Sequence, residues 1–232
     1  MSAVLFQQEN TSVQTDTSVM DTLISLQKED SRFSHNVHTN MFKNNSVVAS
    51  QEDIKRNIYI LLEGKVNLVC PNPNGRRIVV STLQPGAIFG DGALNQPFGS
   101  KVFAEARDDV KLWKIPEDNA RTMATQYPIL SWGLLQTYGE RLLQVEDGME
   151  DVAYKTLPER LANLLLDLND GKEGELKGIS HQNLADHLGT YRETVSAILR
   201  DFKSQGLVQL GYRRITILDT ETLEDLAGIW EW

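Results

Sequence analysis

Apolar and polar positions alternate with two different periods along the 232 residues. Between positions 41 and 115, short runs rich in Val, Ile, Leu and Phe recur at 46–49, 57–62, 65–70, 76–83, 101–106 and 110–115. Turn signals separate them: Glu63-Gly64, the segment 71–75, and Pro85-Gly86. Strands at this spacing, with few helical patterns between them, predict an antiparallel sandwich or small barrel. Ahead of them, Val19, Leu23, Ile24 and Leu26 suggest a short amphipathic helix ending near Asp30. Residues 1–17, rich in Ser, Thr, Gln and Asn without an apolar period, read as a flexible arm.

After Pro116 the period becomes helical. Leu130, Leu134, Tyr138, Leu142, Val145, Met149 and Val152 recur at steps of three and four, over more than twenty residues without a proline. A helix with one long apolar stripe needs something to pack on. Its own barrel is one candidate. The stripe outruns a barrel of this size, so a second copy of the chain is the expected partner, with Leu134, Tyr138, Leu142, Val145, Met149 and Val152 at the interface. Leu157-Pro158 then breaks the helix, and Leu161, Leu164, Leu165 and Leu168 start another.

The stretch 180–219 carries the most specific pattern. Ser180 can cap a helix through Leu184, Ala185 and Leu188; Gly189 permits a sharp turn; a second helix follows over 192–205. In that helix Val195, Ile198, Leu199 and Phe202 form an inner face, leaving Arg192, Glu193, Ser196, Arg200 and Lys203 outward. Gly206 ends it, and two short strands joined by Gly211-Tyr212-Arg213-Arg214 follow. Helix, turn, helix and basic-tipped hairpin describe a winged helix-turn-helix. Arg can grip guanine bidentately in a major groove and Glu can accept from cytosine, which suits Arg192 and Glu193. Ser180, Gln182, Tyr191, Ser196, Lys203, Arg213 and Arg214 complete the expected DNA-binding set, several of them as phosphate contacts.

Charge sharpens this reading. The net charge is −9, so the surface as a whole does not attract nucleic acid. Residues 190–214, however, hold five basic side chains against Glu193 and Asp201, while the other acids of this half lie mostly at 167–175 and 219–231. Composition excludes other classes. Hydrophobic residues make up 41% and charged residues 24%, which is globular. The longest apolar run, 58–62, cannot span a bilayer, and the first twenty residues contain no Lys or Arg, so neither a membrane span nor a signal peptide is expected. One cysteine, Cys70, cannot build an iron–sulfur cluster or an internal disulfide, and its place before Pro71 suggests a buried structural thiol. His35 and His38 form only a weak metal signal. No catalytic constellation stands out, so an enzyme is not expected.

The run Gly189-Thr190-Tyr191-Arg192-Glu193-Thr194-Val195 resembles the recognition-helix signature of the cyclic AMP receptor protein/FNR (CRP/FNR) family of bacterial transcription regulators. The likeness covers roughly 41–219: residues 58–66 resemble a barrel strand and turn, and Gln84-Pro85-Gly86-Ala87-Ile88-Phe89-Gly90-Asp91 resembles the entry to a ligand-binding cassette. The resemblance implies an α+β chain with a cyclic-nucleotide-binding-like jelly roll, a dimerisation helix and a C-terminal winged helix-turn-helix. It implies a cytoplasmic homodimer on a palindromic operator, in contact with RNA polymerase, and it places Arg192 and Glu193 at base-reading positions. A third basic contact of the family falls on Ala197, which predicts a different or looser half-site.

For an effector, the resemblance points to Gly90, Asp91, Ser100, Lys101, Val145 and Glu146. The family's phosphate-gripping Arg-Ser pair falls here on Ser100 and Lys101, which leaves a point charge instead of a bidentate fork, and Val145 and Glu146 replace two hydroxyl residues at the adenine. A different small-molecule effector, or none, is therefore expected in place of cyclic AMP. The domains expected are an arm at 1–17, an effector barrel at 18–127, a dimerisation helix and hinge at 128–155, and a DNA-binding domain with an acidic tail at 156–232. The competing function is a cyclic-nucleotide or metabolite-binding module whose helical domain contacts a protein partner, motivated by the apolar residues of the tail, Leu223, Leu226, Ile229, Trp230 and Trp232.

Overall fold

A computed structural model describes residues 16–72, 76–91, 101–169 and 174–228, with side chains from Val19 onward. Residues 1–15 of the arm expected at 1–17, Ser100 and the tail residues Ile229, Trp230 and Trp232 lie outside them, and a helix already begins at Asp16. The chain divides into two units, residues 1–66 with 83–139, and residues 67–82 with 140–232.

The first part of the chain runs α1 (Asp16–Glu29), α2 (Ser31–His35), β1 (His38–Phe42), β2 (Val47–Ala49), α3 (Gln51–Arg56), β3 (Ile58–Glu63), β4 (Val66–Pro71), β5 (Arg77–Leu83), β6 (Ile88–Phe89), β7 (Phe103–Ala106) and β8 (Val110–Ile115). Helices α4 (Glu117–Gln126) and α5 (Pro128–Tyr154) follow. Two four-stranded sheets form, ordered β1-β8-β3-β6 and β2-β7-β4-β5. The registers of β1, β3, β6 and β8, and of β2 with β7, are all antiparallel.

In the first unit β3 is buried on both faces, which is why it reads as a continuous apolar run rather than an alternation. Ile58 and Ile60 face a helical layer together with Ile88, Trp113 and Ile115. Val19 and Leu23 of α1, Ala120, Met123 and Ala124 of α4, and Leu130 and Leu134 of α5 make up that layer. On the opposite side Tyr59 stacks on Phe89, ring centroids 5.0 Å apart. Phe33 of α2, fully buried, meets Tyr127 and Trp113 edge-on at 5.1 and 6.5 Å.

Asp30 fixes the corner before α2. Its Oδ1 accepts from the backbone N–H of Arg32 and Phe33, and the Tyr127 hydroxyl donates to Oδ2 at 2.7 Å. The Tyr127 hydrogen bond, with help from the backbone N–H groups, holds the Asp30 carboxyl below its ordinary range. A carboxyl whose folded pKa is lowered stabilises the fold above the unfolded value of about 4, and loses that contribution as the pH falls through the folded value. Tyr127→Phe is therefore expected to lower thermal stability at pH 6 and to make progressively less difference below pH 4. An equal deficit at pH 6 and pH 2.5 in thermal melts would disprove this coupling.

The start of α5 belongs to the first unit. A Cβ at Gly133 would lie 2.5 Å from Ile88 Cδ1, so a larger residue there would force the Ile88 side chain to shift. Thr137 Oγ1 accepts from the Ile88 N–H at 3.1 Å, and the Tyr138 hydroxyl donates to Asp91. Two positions expected at the dimer interface also touch the first unit's own core: Leu134 is 8% exposed within it, and Tyr138 is partly buried against it. The exposed apolar face of α5 consists instead of Trp132, Leu135, Leu142, Leu143, Val145, Met149 and Val152.

The second unit adds α6 (Leu157–Asn169), β9 (Glu175–Lys177), α7 (His181–Leu188), α8 (Arg192–Ser204), β10 (Val208–Gly211), β11 (Arg214–Ile217) and α9 (Thr220–Ala227). Pro158 stands in the first turn of α6, where its missing N–H costs no helical bond. Its three-stranded sheet is ordered β10-β11-β9, one strand more than the expected hairpin. The core gathers Leu161 and Leu165 of α6, Leu184 of α7, Val195, Leu199 and Phe202 of α8, and Leu176, Val208 and Ile215 of the sheet. Leu223 and Ala227 of α9 are fully buried in the same cluster, so the described part of the acidic tail packs on its own unit.

Candidate nucleic-acid interface

Helix α7 begins at a reciprocal cap. Ser180 Oγ accepts from the Asn183 N–H at 3.1 Å, and Asn183 Oδ1 accepts from the Ser180 N–H at 2.9 Å. It ends at Gly189, whose φ of +64° is left-handed and lets the chain reverse within two residues. Tyr191 starts α8 with an extended backbone and no side-chain cap. On α8, Val195, Ile198, Leu199 and Phe202 are buried, while Arg192, Glu193, Arg200 and Lys203 are exposed. Arg192, Ser196 and Lys203 fall at i, i+4 and i+11, which places them on one side of the helix.

The remaining expected DNA contacts are held differently. The Gln182 amide donates to Asp186 Oδ1 at 2.7 Å, and the buried Asp186 also lies 3.3 Å from Arg77 Nε. Tyr191 lies under the Arg76 guanidinium, 5.1 Å from its ring centroid. Between β10 and β11 the two-residue turn Tyr212-Arg213 is fully outward, with Tyr212 95% exposed. Arg213 has φ +47°, the left-handed region that favours glycine, and its guanidinium donates to the Gly178 carbonyl at 3.4 Å. Arg214 lies 3.3 Å from Glu175, an exposed pair of small energetic value.

His181 is not in the expected DNA-binding set. The first residue of α7, it places Nδ1 2.7 Å from Ser196 Oγ on the recognition-type helix. Burial, and then the Arg192 cation, hold its imidazole below the usual range. Residues 181 and 196 share no periodic pattern, so only the tertiary structure brings them together.

Gly90 has φ +104°, and a Cβ there would collide with the Asn57 carbonyl oxygen, so glycine is required. Asp91 is buried; its N–H donates to the Ile54 carbonyl and its carboxylate accepts from Tyr138. Lys101 is exposed, its carbonyl accepting from the Gln51 amide. Val145 and Glu146 are exposed on the later part of α5. Cys70 is half-buried in β4, more open than the buried structural thiol expected. Among the described residues no three His, Cys, Asp or Glu side chains stand where they could hold a metal ion, and no helix is long and apolar enough to cross a membrane.

Comparison with known proteins gives this geometry its family. Residues 39–127 match the cyclic nucleotide-binding domain family and residues 159–226 the Crp-like helix-turn-helix domain. The chain is 32% identical over 177 residues to the transcriptional regulator SdrP of Thermus thermophilus, covering 73% of this chain and 83% of that protein. Against the cyclic AMP receptor protein of the same organism it is 27% identical, covering 76% of this chain and 82% of the relative. A crystal structure of a CRP/FNR-family transcriptional regulator, also from Thermus thermophilus, superposes with a TM-score of 0.68 at 28% identity, over 82% of this chain and 98% of that one. These relatives are transcriptional regulators rather than enzymes. With a nucleotide-binding-type barrel, a long helix and a Crp-like reading head in one polypeptide, the chain belongs to the CRP/FNR family and is a DNA-binding transcription regulator of that type.

Proposed function

We propose that the protein works as a cytoplasmic homodimer that reads a palindromic operator with two copies of α8 and contacts RNA polymerase there. The observation that carries the reading is the outer face of α8. Arg192, Glu193, Ser196 and Lys203 stand on it immediately after the left-handed Gly189 turn, over a buried face that fixes the helix in its unit. Arg192 and Glu193 sit in the first turn, the part of a recognition helix that approaches base edges, and Arg213 and Arg214 suit the flanking phosphates.

The exposed face of α5 supports the dimer. Leu135, Leu142 and Met149 are seven residues apart, and Val145 and Val152 lie three residues after the last two, the a/d spacing of a two-stranded coiled coil. A two-fold axis along this face would present two reading heads to half-sites ~34 Å apart, one turn of duplex. For the barrel, the match to a cyclic nucleotide-binding domain supports a small-molecule effector, and Ser100-Lys101 in place of an Arg-Ser pair, with the bidentate Arg lost, argues against cyclic AMP itself.

Selection from a random duplex pool, with and without added cyclic nucleotides, tests the reading. Enrichment of a palindrome with half-sites one helical turn apart is expected. Arg192→Ala should weaken binding to that operator by ~1–3 kcal/mol and relax the preference at one base pair. Unchanged preference in Arg192→Ala would remove Arg192 from the base contacts.

A further inference from the structure

Ser196 stands one helical turn after Arg192, and its hydroxyl is already committed on two sides. Its Oγ donates to the Arg192 carbonyl at 2.8 Å, and His181 Nδ1 lies 2.7 Å from the same oxygen. A hydroxyl has a single proton. With that proton given to the Arg192 carbonyl, Oγ can only accept from His181, so Nδ1 must carry hydrogen. His181 is in turn fixed from behind. It is the first residue of α7, next to the Ser180–Asn183 cap that sets the backbone at that helix start.

The consequence for recognition follows from counting lone pairs. A serine hydroxyl free to rotate presents either a donor or an acceptor to a base, and so discriminates poorly. Ser196, with its proton turned back to its own helix and one lone pair taken by His181, keeps a single lone pair for anything outside the protein. We propose that His181 is a positioning residue for base readout: it fixes Ser196 as a hydrogen-bond acceptor, so that Ser196 selects a base presenting an amino donor in the major groove, adenine N6 or cytosine N4. This rests on α8 being the recognition helix. It adds a residue of the first helix to the reading machinery, and it assigns a polarity to one position of the half-site.

The test uses the full-length protein in the selection described above, followed by fluorescence-anisotropy titrations at fixed salt. The probes are the enriched operator and its single-base variants at the position opposite Ser196. Wild type is expected to prefer an amino-bearing base there by about five- to tenfold, the range of one neutral hydrogen bond. Ser196→Ala and His181→Ala should both reduce that preference to about twofold or less, most of that one hydrogen bond being lost. His181→Asn, whose amide nitrogen can stand where Nδ1 stands, should restore it. Arg192→Ala should change a different base pair and leave this one alone.

If His181→Ala lowers affinity for all variants equally, or lowers only the melting temperature, with the preference intact, then His181 merely staples two helices and the proposal is wrong. A preference for guanine or thymine opposite Ser196 would also overturn it. The failure of the underlying reading looks different: no sequence enriched with or without cyclic nucleotides, and Arg192→Ala indistinguishable from wild type.

Discussion

Leu142→Glu in α5 is expected to convert the protein to monomers and to reduce operator affinity by about 10²- to 10⁴-fold, the gain that linking two reading heads gives over one. Leu142 is 59% exposed and lies seven residues from both Leu135 and Met149. A carboxylate there would be buried opposite its own copy across a two-fold axis, placing like charges in an apolar interface. Because the side chain has little contact with its own unit, the substitution should leave the melting temperature of the isolated chain almost unchanged. Light scattering gives the mass and anisotropy gives the affinity. A variant that stays dimeric and holds the operator as tightly as wild type would show that this face of α5 is not the dimer interface.

The second large effect is on stability. Phe33→Ala should cost about 3–5 kcal/mol, because it removes a fully buried ring and leaves a cavity that the rigid β8 cannot close. Two edge-on contacts, to Tyr127 and Trp113, go with it. For a chain of this size a loss of that order lowers the melting temperature by roughly 10 °C. Urea unfolding followed by circular dichroism would report it directly. A loss below about 1 kcal/mol, far short of the usual cost of emptying a buried aromatic site, would mean that α2 repacks into the space and that Phe33 does not organise the helical layer.

Legibility in the sequence varied with how much of each element's identity lies in its own apolar pattern. Helix α8 was readable almost to the residue, 192–205 against Arg192–Ser204, because its burial alternates cleanly with charge and glycines bracket it. The strands β3, β4, β5 and β8 were similarly legible. β1 was not: its side chains are mostly exposed, and pairing with β8 through the backbone makes it a strand. Helix α3 is short and polar, yet Ser50 and Asp53 carry a capping box that could have announced it. The two-residue β6 and three-residue β9 are too short for any period to show.

The long helix shows a different limit. One heptad-like stripe served two purposes, the barrel core through Leu130 and Leu134 and an exposed face from Leu142 to Val152. Period alone does not say where the first ends and the second begins. Gly133, Thr137 and Tyr138, which mark that handover, are ordinary residues in the sequence. His181 is the same case in miniature: fifteen positions from Ser196, it became visible only when the turn at Gly189 folded one helix onto the other.

The tip between β10 and β11 carries a conflict of its own. A left-handed backbone at a residue other than glycine costs about 1 kcal/mol, and Arg213 accepts that strain at a site where glycine would relieve it. The guanidinium that would meet a phosphate is thus attached to the atom that makes the turn unfavourable. Stability and grip are opposed at one position. On the phosphate contact proposed above for Arg213, the wing can be improved for either only at the expense of the other, and selection for thermostable variants would act against that contact.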